Sequence, residues 1–88
     1  MTYNQIVQTM AIRLSINEDE VQMILSAFLS TLSDELQKGN DIFLPHFGEL
    51  HILTCYDTDS EQDVWYKTHT RNVIFSAAAE LQERINRW

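Results

Sequence analysis

The apolar positions along the chain change period between its halves. Ile6, Met10 and Leu14 recur at i, i+4 and i+8, and Val7 and Ala11 widen the stripe, which predicts a helix over 3–14. Thr2 precedes it and Gln5 follows three residues later, the spacing of a capping box. Ser15-Ile16-Asn17 breaks the pattern. A longer helix then opens with Asn17 as N-cap and with Glu18, Asp19 and Glu20 in a first turn that favours negative charge. Val21, Ile24, Leu25, Phe28, Leu29, Leu32 and Leu36 recur every three or four residues, and Lys38-Gly39 supplies the stop.

From Asp41 the period shortens to two. Residues 41–44 read as a short strand and Pro45-His46-Phe47-Gly48 as a turn. Leu50, Ile52, Thr54 and Tyr56 then alternate with His51, Leu53 and Cys55, which is strand spacing. The polar stretch 57–63 is expected to form a hairpin tip, and 64–75, rich in Val, Trp, Tyr, Thr, Ile and Phe, the return strand. Ser76 is expected to cap a last helix over 77–87, with Ala78, Leu81 and Ile85 as its stripe. The fold class expected is α+β, with residues 1–88 as one domain: a helical hairpin (1–40), a sheet with its arm (41–75) and a C-terminal helix (76–88).

Size and charge add two constraints. At 88 residues the chain is one domain at most, and a domain this short buries about 60% of its unfolded surface, so a lone copy is marginal. The broad stripe of the second helix, which includes Phe28, exceeds what the short first helix can cover; a sheet, a second subunit or both must take the rest. Thirteen acidic residues stand against six basic ones, a net charge of -7. That sign opposes generic binding to nucleic acid, which draws its affinity from neutralising phosphates. No apolar run is long enough for a membrane span, Met1–Leu14 reads as a helix rather than a leader, and a lone Cys makes no internal disulfide. A cytoplasmic location is expected.

The element order, together with Asp41-Ile42-Phe43-Leu44-Pro45-His46-Phe47-Gly48-Glu49-Leu50 and Val73-Ile74-Phe75 ahead of a short helix, resembles the HU and integration host factor family of bacterial architectural DNA-binding proteins. The resemblance covers essentially the whole chain. It implies an intertwined homodimer with two N-terminal helices, a three-stranded antiparallel sheet bearing a β-arm, and a C-terminal helix. Leu25, Phe28, Leu29, Leu32, Phe47 and Phe75 would build the core shared between subunits. Burial of each such side chain contributes about 1.5–3 kcal/mol, enough for several to make folding and pairing one event. The family grips duplex DNA with basic arms whose tip proline wedges into the minor groove, and it concentrates in the nucleoid.

The sequence departs from that pattern where the family touches DNA. The tip carries Asp57, Asp59, Glu61 and Asp63 with neither Pro nor Arg, and the arm is a few residues shorter. Leu53 and Cys55 stand where the family has basic residues, Tyr3 where a Lys is usual, and Ser76–Ala79 where the family has a Lys-Pro-Gly-Lys-like stretch. His46 replaces a Gly; if that position needs positive φ, it costs about 1 kcal/mol or forces a different turn. On the hairpin only Lys67 and Arg71 remain as cations, and strict alternation sets Lys67, His69 and Arg71 on the face of Val73 and Phe75.

Each candidate carries a structural and a functional reading. Lys67 and Arg71 are solvated or cross-strand-paired charges, or residual phosphate contacts. Tyr56, Trp65 and Tyr66 stiffen the hairpin as cross-strand pairs, or form an exposed patch for a protein partner or a base-stacking platform. The acidic tip keeps a strand edge soluble, or docks on a basic partner or mimics a row of phosphates. His46, His51, His69 and Cys55 lack metal-ligand spacing, His51 and Cys55 being about 13 Å apart along a strand. Cys55 with His69 has no orienting carboxylate and no oxyanion donor at an obvious spacing, so neither an enzyme nor a cofactor is expected. Two functions follow. One is a divergent nucleoid-type binder of double-stranded DNA, weak or dependent on a basic partner or a heterodimer subunit. The other is an acidic dimer of the same fold that acts as a protein-interaction module or DNA mimic.

Overall fold

The computed structural model describes residues 1–56 and 69–87, apart from the side chains of Tyr56 and His69. Helix α1 spans Tyr3–Leu14, as its stripe predicts. Its capping box is complete: the Gln5 N–H donates to Thr2 Oγ1 at 3.2 Å, and the Thr2 N–H donates to Gln5 Oε1 at 2.8 Å. Ser15 ends the helix at φ +57, a left-handed position filled here without glycine. Helix α2 spans Glu18–Gln37, and the Glu20 N–H donates to Asn17 Oδ1 at 2.8 Å. Its end is a Schellman motif. Gly39, at φ +88, donates its N–H to the Leu36 carbonyl, and Asn40 donates to that of Glu35, both at 3.0 Å.

Strands β1 (Ile42–Leu44), β2 (Gly48–Tyr56) and β3 (His69–Ala77) form an antiparallel sheet in the order β1-β2-β3, and α3 spans Ala79–Ile85. The chain divides into two compact units, Met1–Asp34 and Glu35–Trp88. In the first, Val7 and Val21 are 2% and 1% exposed and, with Ala11, are packed by Met10, Ile16 and Leu25. Those three are the only buried hydrophobic residues among the described ones. Phe28, Leu29, Phe47 and Phe75 each keep about half their surface in water, and Leu32 is half-buried.

Several boundaries differ from the sequence reading: β2 already begins at Gly48, within the expected turn, and α3 ends at Ile85 rather than at Arg87. Strand β1 starts at Ile42, one residue late, because the Asp41 carboxylate instead accepts the Ile52 N–H at 3.3 Å. Ser76 does not cap the last helix. The β2–β3 ladder continues through Glu49↔Ser76 to Gly48↔Ala77, and the Ala78 N–H adds a bond to the Phe47 carbonyl at 2.9 Å. Ladder bonds hold Ser76 in the strand, so α3 starts two residues later, behind Ala78, which has no side-chain cap. The expected tip at 57–63 and the return-strand residues 64–68 lie outside the described residues.

Candidate nucleic-acid interface

The turn before β2 sets the geometry of the hairpin. The Phe47 N–H donates to the Leu44 carbonyl at 3.0 Å, Pro45 holds the second position, and His46 sits at φ +66 in the third. This is the pattern of a type II turn, which favours glycine at that place. The left-handed conformation is therefore kept although His46 replaces the glycine. Its Nδ1 meets the Glu80 carboxylate in the first turn of α3. Gly48, directly after, is required by contact: a Cβ there would stand 2.5 Å from the Ser76 carbonyl oxygen and 2.6 Å from the Phe75 ring. The Phe75 ring covers Gly48 and packs against Phe47 with centroids 5.4 Å apart, tilted by 49°. The Phe-Gly pair and the distant Phe75 are thus one packing device.

The register separates two faces. Pairs Leu50↔Phe75, Ile52↔Val73 and Thr54↔Arg71 share one, with Ile42 opposite Leu50. Pairs Glu49↔Ser76, His51↔Ile74, Leu53↔Asn72 and Cys55↔Thr70 share the other, with Phe43 opposite Glu49. The pairing runs one-to-one from Gly48↔Ala77 to Tyr56↔His69, so no bulge resets the alternation over that length. Arg71 accordingly lies on the Val73–Phe75 face. Its guanidinium Nη1 donates to the Gln37 carbonyl at 2.9 Å, at the end of α2. That carbonyl is among the last four of the helix, which have no partner within it, and the cation also suits the negative end of the helix.

The second face has a different chemistry. Leu53 and Cys55 lie on it together, so the two positions where the family has basic residues share one surface, whose described part carries no Lys or Arg. His51 stands between two carboxylates, its Nδ1 3.6 Å from Asp41 Oδ2 and its Nε2 3.4 Å from Glu49 Oε2. Cys55 is exposed and accepts a weak bond from Asn72 Nδ2 at 3.8 Å. Phe43 and Ile74 also belong to this face and were passed over as site residues in the sequence. Their alternation with Ile42, Leu44, Val73 and Phe75 was the signal that could have found them.

The backbone of Tyr56 pairs with that of His69 at the far end of the ladder. Lys67, Trp65, Tyr66 and the acids Asp57, Asp59, Glu61 and Asp63 lie outside the described residues. Among the described residues no group of three or more His, Cys, Asp or Glu side chains could hold a metal ion, and no helix is long and apolar enough to cross a membrane.

A helical hairpin, a three-stranded antiparallel sheet entered through a Pro-x-Phe-Gly turn, and a terminal helix define the small histone-like α+β class. The family model described as bacterial DNA-binding protein matches residues 1–86, and the chain belongs to this HU family. Similar solved structures include an HU variant from Thermotoga maritima, with TM-score 0.76 and 19% identity over 98% of this chain and 100% of that one. Another is Anabaena HU in a cocrystal with DNA, with TM-score 0.75 and 21% identity over 98% of each chain. No match is found among curated proteins.

Proposed function

We propose that the chain works as a homodimeric HU-type protein, one domain over residues 1–88, whose hold on duplex DNA is weak. Arg71 carries this reading: one of the two cations left on the hairpin is bonded to the end of α2. Lys67 is then the freer phosphate contact, and Arg71 can contribute only by leaving Gln37. The cation-poor face of Leu53 and Cys55 supports the same reading. A phosphate contact contributes about 0.9 to the slope of log K against log salt, so two per subunit cap the slope near -4 for a dimer. The half-exposed Phe28, Leu29, Phe47 and Phe75, together with the partly buried Leu25 and Leu32, support the pairing of two chains, and the family resemblance points the same way. A nucleoid or cytoplasmic location accords with this reading, which includes no catalytic, cofactor or metal role.

Fluorescence anisotropy with a labelled duplex at low salt tests it. Weak, salt-sensitive binding that is lost in the Lys67→Glu/Arg71→Glu double variant is expected. Absence of binding at tens of micromolar protein would overturn it. The net charge of -7 favours a second reading, an acidic dimer that has given up DNA and contacts proteins through Tyr56, Trp65, Tyr66 and the acids Asp57, Asp59, Glu61 and Asp63 of the tip. Under it the same double variant leaves duplex assays unchanged.

A further inference from the structure

We propose that the sheet face carrying Phe43, Leu53 and Ile74 is a docking surface for a basic segment of another protein that bears apolar side chains. The three residues are 67%, 48% and 40% exposed and share one face by strand register. Large side chains this open on a single sheet face mark an interaction surface rather than scattered surface apolarity. Any dimer core built from Phe75 and Val73 takes the opposite face and leaves this one outside.

Charge selects the occupant. Asp41 and Glu49 flank His51, and one imidazole against two carboxylates leaves at least one net negative charge in either protonation state. The described part of this face carries no Lys or Arg. A second copy of this chain would bring its own charge of -7 against the same sign, and a nucleic acid would bring phosphates. A strand or loop with Lys or Arg spaced between apolar residues meets both demands. Its cations pair with Asp41 and Glu49, and its apolar side chains cover Phe43, Leu53 and Ile74. This docking concerns a different face from Arg71 and does not depend on the hairpin cations.

The probe is a short fluorescein-labelled peptide of alternating Lys and Leu, with two controls in which Ser replaces Leu or Glu replaces Lys. Binding of the Lys-Leu peptide is expected, at least about tenfold tighter than either control. Backbone amide shifts in the unmodified protein should concentrate at Phe43, His51, Leu53 and Ile74. Phe43→Ser should weaken the peptide severalfold while leaving duplex DNA affinity unchanged, which separates this inference from the weak DNA reading. Equal binding of the Lys-Ser control, amide shifts away from this face, or displacement of the peptide by duplex DNA would overturn it. The shift map needs no substitution, so a variant that fails to fold does not blunt the test.

Discussion

Among the described residues, the non-glycine residues Ser15 and His46 hold left-handed backbone that the chain could have given to glycine. Such a conformation costs a residue with a Cβ about 1–2 kcal/mol. Ser15 is offset by a Schellman pair, its N–H donating to the Ile12 carbonyl at 3.3 Å and that of Ile16 to the Ala11 carbonyl at 3.2 Å, and His46 by its contact with Glu80, an exposed pair worth about 0–1 kcal/mol. His46→Gly should therefore be more stable than His46→Ala by about 1 kcal/mol, since both lose the pair and only one loses the strain. Equal urea midpoints for the two variants would show that the turn carries no such strain. Gly48 is the opposite case, held by contact and not by φ. Gly48→Ala forces its Cβ toward the Ser76 carbonyl and the Phe75 ring and should cost about 1–3 kcal/mol, read as a lowered Tm.

The end of α2 is held by several groups at once. Its Schellman bonds are supplemented by Arg71 on the Gln37 carbonyl, and by Glu35, which accepts from Asn40 Nδ2 at 2.9 Å and from Lys38 Nζ at 3.2 Å. The Asn40 amide first, and then Lys38, hold the Glu35 carboxyl below its ordinary value of 4.5. A lowered folded pKa stabilises the native state above the unfolded value, and that contribution fades as pH falls through the folded one. The urea midpoint of Glu35→Gln should thus lie below that of the unmodified chain at pH 7, with the gap closing in acid; a gap that persists at low pH would contradict the assignment. Arg71→Ala should lower stability by about 0.5–1.5 kcal/mol with little effect on the DNA salt slope, whereas Lys67→Ala should flatten that slope by about 2 per dimer. The helix caps at Thr2, Asn17 and Gly39 were legible in the sequence because each acts within a few residues of itself. So was the face shared by Leu53 and Cys55, since alternation is local. The extension of β3 through Ser76 and the partner of Arg71 were not. Both depend on groups about thirty residues away in sequence, brought together only by the ladder and by the end of α2.

At the scale of the whole molecule, three buried hydrophobic residues among the described ones are too few to hold 88 residues, while Phe28, Leu29, Phe47 and Phe75 stay half in water. Sedimentation equilibrium should return twice 10.3 kDa at micromolar concentration, and a well-folded single chain would remove the shared core from the account. The proposed dimer, of twice -7, would meet DNA with at most two hairpin cations per subunit, one of them bonded to a helix end. On the proposed reading the family's architecture is kept while its electrostatic grip on DNA is weakened. The most direct test is a titration of a labelled duplex followed by anisotropy across a range of salt concentrations. A Kd of micromolar or weaker and a log-log slope no steeper than about -4 are expected. Nanomolar binding at physiological salt with a slope near -8 would contradict this, because about nine phosphate contacts would then be needed.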